Sequence, residues 1–139
     1  MTSWLFYALV SAAAAAATAI LAKIGVAGVP STLATAIRTG VVLAFASLMV
    51  VQAGEFRQVT AIPRRSLLFL VLSGIATGIS WLAYFRALQL GPASRVAPID
   101  KLSLPLTVIL AMLILSEKIT WTVALGIALM TIGALVTLL

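Results

Sequence analysis

Long apolar stretches separated by short polar segments run along the whole sequence. Five of them, residues 4–22, 31–52, 67–85, 93–115 and 121–138, are each about 20 residues long, which is the length that an α-helix needs to cross a bilayer. The strict alternation of apolar and polar residues that marks a transmembrane barrel is absent, for example, from residues 43–51. The pattern predicts an all-α, polytopic membrane protein with about five transmembrane helices in a single domain, residues 1–139.

Composition strengthens this prediction. Of the 139 residues, 63% are hydrophobic and 9% are charged, and the mean hydropathy is +1.25, values that are foreign to soluble domains. The longest polar stretch, residues 53–65, is too short to form a further domain. No basic residue precedes the first apolar stretch, so we expect a permanent first span and not a signal peptide.

The charged and reactive residues exclude several functions. Cysteine and histidine are both absent, which removes disulfides, thiolate nucleophiles and the commonest metal ligand and general base. We therefore expect no enzymatic activity, no metal and no cofactor. The net charge is +6, but the basic residues lie mostly near the ends of the predicted spans, so we expect lipid headgroups to bind them, and not nucleic acid.

A few charged residues interrupt the apolar stretches. Arg38 and Asp100 each lie about seven residues into a stretch that starts on the same side, so both are roughly 10 Å deep and are expected to meet. Lys101 follows Asp100, and Pro98 and Pro105 bracket the pair, where they favour a kink beside a watery cavity. Two interpretations stay open. The ion pair either fixes the helix register or belongs to a pathway for substrate or protons.

The end of the third stretch carries aromatic side chains and glycines. Trp81 and Tyr84 lie near the predicted depth of Arg38. Both residues fit an interfacial aromatic belt, while Trp81 is also placed to stack on a substrate. Gly74 and Gly78 have the small-xxx-small spacing that is typical of close helix packing.

The end of the sequence resembles a known transporter repeat. The residues that carry the resemblance are 84–98 (YFRALQLGPASRVAP), Pro105, 113–120 (LILSEKIT), Gly126 and Gly133. They are similar to the EamA-type repeat of the drug/metabolite transporter superfamily, and Lys23, Pro30 and residues 36–38 resemble its first two helices. Within this repeat, Lys23 is expected to have a structural or gating role. Glu117 is expected to cap the fifth helix and to pair with Lys118 or Arg64.

The resemblance also implies an assembly. Most members of the superfamily carry two such repeats, whereas this sequence is similar to the single-repeat five-helix bacterial and archaeal family. Because five is odd, two copies have opposite orientations, which is the inverted repeat used in alternating access. The basic residues outside the spans number four on one side and three on the other: Arg57, Arg64, Arg65 and Lys118 against Lys23, Arg86 and Arg95. This weak bias permits an antiparallel homodimer. A heteromer with a second small subunit is the alternative.

Together these features predict a secondary-active transporter, an exporter of small metabolites or drug-like molecules across the inner (cytoplasmic) membrane. The nucleotide-binding pattern GxxxxGK[ST] is absent, so we expect exchange or coupling to an ion, and Asp100 is the candidate proton carrier. The basic side of the protein favours an anionic or zwitterionic substrate, although lipid phosphates explain the same charges. The alternative function is a non-transporting membrane subunit that assembles with a partner.

Overall fold

The computed structural model describes residues 3–139, and most of them are helical. The helices in order are α1 (Ser3–Gly25), α2 (Ser31–Gln52), α3 (Arg64–Leu90), α4 (Ala93–Asp100), α5 (Ser103–Leu115) and α6 (Trp121–Val136). A short 3₁₀ helix, Glu55–Ala61, lies between α2 and α3. No strand occurs in residues 3–139. The predicted all-α membrane fold is therefore confirmed.

The helix lengths support at least four membrane crossings. The apolar segments Trp4–Gly25, Ser31–Gln52, Arg64–Leu90 and Ala93–Leu115 have 22, 22, 27 and 23 residues, enough for ~30 Å of hydrocarbon. The predicted fifth span is a shorter apolar helix, α6, with 16 residues. At 1.5 Å per residue α6 is about 24 Å long, so crossing the membrane requires local thinning of the bilayer or help from flanking residues.

Helix α3 is longer than the sequence pattern indicated. It begins at Arg64 instead of residue 67 and ends at Leu90 instead of residue 85. The polar residues Arg64, Arg65, Arg86 and Gln89 lie outside the predicted span but inside the helix. Long polar side chains extend towards water while their backbone stays helical. The helix ends where Gly91 and Pro92 follow, because proline disfavours the helical conformation in the residue before it.

The fourth span, residues 93–115, consists of α4 and α5, with an interruption in the region where the sequence predicted a kink. The break lies at Lys101 and Leu102, four and three residues before Pro105. A proline ring clashes with the carbonyl four residues earlier and offers it no N–H. The carbonyl of Lys101 instead accepts a hydrogen bond from the amide of Leu104 at 2.9 Å. The proline therefore accounts for the position of the break.

The connection between α5 and α6 also differs from expectation. Ser116 ends α5 in the left-handed conformation with a φ of 57°, and the amide of Glu117 donates to the carbonyl of Ala111. The residue that caps α6 is Thr120, whose hydroxyl accepts from the amide of Val123 at 3.4 Å. The prediction that Glu117 caps this helix was wrong, because a hydroxyl directly before the first turn is the better placed acceptor.

The described chain divides into two compact units. One is Leu21–Gln89, which contains the end of α1, all of α2 and nearly all of α3. The other combines the earlier part of α1, up to Ile20, with Leu90–Leu139. We call them the central unit and the terminal unit. Each is described on its own below.

Candidate functional site

In the central unit, the end of α1 and the turn that follows it are hydrogen-bonded to the end of α3. The ammonium group of Lys23 donates a hydrogen bond to the carbonyl of Leu88, and the side-chain amide of Gln89 donates to the carbonyl of Val29. The last carbonyls of a helix lack partners within the helix, and a cation there is favoured by the helix dipole. We call these two contacts the clamp. The structural or gating role of Lys23 stays a prediction.

The buried side chains of the central unit lie at the same end. Leu88, Phe85 and Val26 are exposed by 0%, 2% and 3%, and Thr35 is also buried. The Thr35 hydroxyl donates to the carbonyl of Ser31 at 2.8 Å, so it is satisfied within its own helix. Most other side chains of α2 and α3 are exposed. In a membrane, those faces meet lipid, a further protein surface or a water-filled space.

Next to this buried cluster, Arg38 stacks on aromatic rings of α3. The guanidinium carbon lies 4.1 Å from the ring centroid of Trp81 and 5.5 Å from that of Phe85. Trp81 and Phe85 are four residues apart and therefore share one face of α3. Arg38 comes about 10 Å below the start of α2, and Trp81 about 13 Å before the end of α3. The residues thus lie at similar depths from the clamped end.

The charge on Arg38 is not neutralised within its unit. There the guanidinium has no recorded hydrogen-bond or ion-pair partner. The one carboxylate in Leu21–Gln89 belongs to Glu55, which lies beyond the opposite end of α2. Cation–π attraction is worth about 2 kcal/mol when the site is desolvated, less than the several kcal/mol that an isolated charge costs in hydrocarbon. Arg38 therefore retains a need for an anion or water.

The terminal unit holds the other predicted pathway residues. Asp100 and Lys101 form an ion pair of 3.4 Å at the break between α4 and α5, with Pro98 inside α4 and Pro105 inside α5. Both charged side chains are substantially accessible. Because Arg38 and Asp100 belong to different units, their pairing stays a prediction.

Tyr84 and the two glycines of α3 are the remaining predicted site residues in the central unit. The Tyr84 ring is tilted against that of Phe85 at 6.5 Å, and Tyr84 is half-buried. At Gly74 and Gly78, an added Cβ would meet nothing within 4 Å in the described structure. In this chain the glycines therefore border open space. Their predicted role in helix packing remains to be tested against a second chain.

Sequence reasoning missed two residues of this site. Phe85 was overlooked although it follows Trp81 by one helical turn, and Gln89 follows Phe85 by another. This spacing of four residues, leading to a helix end just before Gly91 and Pro92, was the available signal.

A concave surface lies in the terminal unit. Helices α5 and α6, with Ile119 before α6, form an open groove of about 440 Å³ whose lining includes Pro105, Met112, Ile127 and Thr131. The lining is apolar apart from the Thr131 hydroxyl, which donates to the carbonyl of Ile127 at 2.7 Å. The groove therefore offers packing surface and no charged group for recognising a polar solute.

The helices are those of a polytopic membrane protein. The family model described as "EamA-like transporter family" matches residues 2–139, so the chain belongs to that family. A Sinorhizobium sp protein named "Uncharacterized transporter in cobO 3'region" is 53% identical over 133 residues, which are 96% of this chain and 94% of the relative. No solved structure matches the chain. The protein is a multi-pass membrane transporter with a small molecule as substrate.

Loss of the clamp should destabilise the protein. Lys23→Met leaves the carbonyl of the fully buried Leu88 without its Lys23 donor, which should lower the free energy of unfolding by about 1–3 kcal/mol. Lys118→Met is the matched control, because Lys118 is exposed in the segment before α6 and should change it by less than about 0.5 kcal/mol. Denaturant unfolding in mild detergent, followed by circular dichroism, measures both. Equal losses would show that the clamp contributes nothing specific.

Proposed function

We propose that the protein is a secondary-active exporter of small metabolites or drug-like molecules in the inner (cytoplasmic) membrane, working by alternating access. The observation that carries this proposal is the guanidinium of Arg38, held over Trp81 within a span and without a carboxylate in its unit. An arginine costs about 2.5–3.5 kcal/mol at the centre of a membrane helix even on insertion scales, and Arg38, about 10 Å from the start of α2, pays a part of that cost. A transport pathway supplies the water or anion that offsets this cost.

The break in the fourth span supports a pathway role for the terminal unit as well. Helix breaks at membrane depth are tolerated where freed backbone groups meet protein or water. Asp100 and Lys101 lie at such a break. In our proposal Asp100 is the proton carrier if export is proton-coupled, because it is the one carboxylate in a predicted span. Lys101 is its partner in the deprotonated state.

Alternating access needs a second unit of opposite orientation, and we propose an antiparallel homodimer. The relative from Sinorhizobium sp is itself covered to 94% by the alignment, so it too consists of little more than one such repeat. The basic residues outside the spans number four on one side of the membrane and three on the other. This small difference favours insertion in both orientations. A heteromer with a second small subunit satisfies the same geometric need.

Transport itself is testable with purified protein in liposomes. We expect exchange of at least one solute from a metabolite panel without ATP, and a loss of about tenfold or more in Arg38→Gln, because one charged hydrogen-bonding group is removed. Arg57→Gln is the matched control, since Arg57 lies in the 3₁₀ helix outside the site. Folding of each variant is checked by circular dichroism. If no solute crosses with the native protein, the alternative of a non-transporting subunit takes precedence.

The orientation of the chain tests the homodimer. Reporter fusions at the C-terminus should show both topologies in one membrane preparation. Two added lysines in residues 53–65 should shift the population towards one of them, because basic loops remain on the cytoplasmic side. Two added glutamates at the same positions are the control, since acidic residues have little effect on topology. A single native orientation would contradict the homodimer and favour the heteromer.

A further inference from the structure

We propose that Arg38 and Trp81 bind the carboxylate of a small amphiphilic organic anion, whose apolar part occupies the open space beside Gly78 and Gly74. This inference rests on the proposed transport function, and it names the chemical class of the transported substrate. It is carried by three independent observations: the stacking geometry of Arg38, the distribution of carboxylates, and the open face of α3 beyond Trp81.

The N–H groups of Arg38 have no hydrogen-bond or ion-pair partner in the central unit. The guanidinium carbon lies 4.1 Å from the ring centroid of Trp81 and 5.5 Å from that of Phe85. A guanidinium that meets a ring with its flat face keeps its five N–H groups, which lie in its own plane, for other partners. The N–H groups form the planar fork that matches two carboxylate oxygens. The aromatic rings also restrict the rotation of the side chain, which lowers the entropy lost on binding.

No carboxylate of the central unit lies near Arg38. Glu55 belongs to this unit but follows the other end of α2, about 21 Å along the helix axis beyond Arg38. Asp100 and Glu117 belong to the terminal unit, where Asp100 pairs with Lys101 at 3.4 Å. A substrate carboxylate would give Arg38 the counter-charge that its own unit does not provide.

The face of α3 that carries Trp81 continues into open space. Gly78 and Gly74 precede Trp81 by three and seven residues, so they lie on nearly the same face. Apart from the adjacent residues and the backbone of α3 itself, no atom lies within 4 Å of a Cβ built at either position. Towards the other end of α3, the clamp and the buried Phe85 and Leu88 close the unit. An apolar group attached to the carboxylate therefore has room on the side away from the clamp.

A lipid phosphate offers similar anionic oxygens to a guanidinium, so the experiment must separate a soluble carboxylate from a headgroup. The chain has three tryptophans, and Trp4→Phe with Trp121→Phe leaves Trp81 as the sole reporter. In phosphatidylcholine nanodiscs, the fluorescence of Trp81 is titrated with hexanoate. Hexylammonium and hexanol are the matched cationic and neutral probes. A parallel titration uses nanodiscs that contain phosphatidylglycerol.

We expect a saturable change of Trp81 fluorescence with hexanoate and none with the other two probes. Arg38→Gln should weaken hexanoate binding about tenfold or more, and Arg38→Lys, which keeps the charge without the planar fork, should also weaken it. Arg57→Gln should leave it unchanged. Arg38→Lys serves as the deciding variant if Arg38→Gln fails to fold.

Two results would overturn the proposal. One is hexanoate binding that is unaffected in the folded Arg38 variants. The other is loss of the hexanoate response in phosphatidylglycerol nanodiscs, which would identify the headgroup as the ligand.

A failure of the proposed transport function gives a different result from a failure of the site. Hexanoate binding without transport of any solute would support this site and contradict transport. Transport of cationic or neutral solutes without hexanoate binding would overturn the site alone.

Discussion

The hydrocarbon core of a bilayer supplies neither hydrogen-bond partners nor counter-ions, and this constraint governs the polar groups of the chain. Threonine hydroxyls within the spans donate to carbonyls of their own helices, as Thr39 does to Thr35 and Thr77 to Ser73. Lys101 has Asp100 as its partner. Arg38 differs from Lys101, because its contacts within the central unit are with aromatic rings. Its unmet requirement for an anion connects the fold with transport.

The central unit combines a closed end with an open one. Lys23 of α1 donates to the carbonyl of Leu88, and the side chain of Gln89 in α3 donates to the carbonyl of Val29 in the turn before α2. The neighbouring side chains are buried. On the side of Trp81 away from these bonds, Gly78 and Gly74 leave that face of α3 without side chains. The helix faces there are exposed. A packed end gives Arg38 and Trp81 fixed positions, which a binding site needs for selectivity. In our proposal, the exposed faces beyond Trp81 give a solute access to them.

The sequence predicted the helical architecture because span length and apolar composition are local properties. It placed the end of α3 too early, since Arg86 and Gln89 are polar yet helical. It predicted a kink around Asp100 and Lys101 from Pro98 and Pro105, and the structure has its break at Lys101, four residues before Pro105. The partner of Arg38 depends on which helix faces meet, and depth alone does not determine that. Depth matched Arg38 equally well with Asp100 and Trp81, and the structure records the contact with Trp81.

The central claim is that water and solute reach the face of α3 beside Trp81. Gly78→Cys tests it directly, because the natural chain has no cysteine and the new side chain enters open space. Ile79→Cys is the control at the same depth, about 100° around the helix. With a membrane-impermeant thiol reagent, cysteine at position 78 should react and be protected by hexanoate, whereas cysteine at position 79 should stay unreactive in lipid. Equal reactivity at both positions, or none at position 78, would contradict the account.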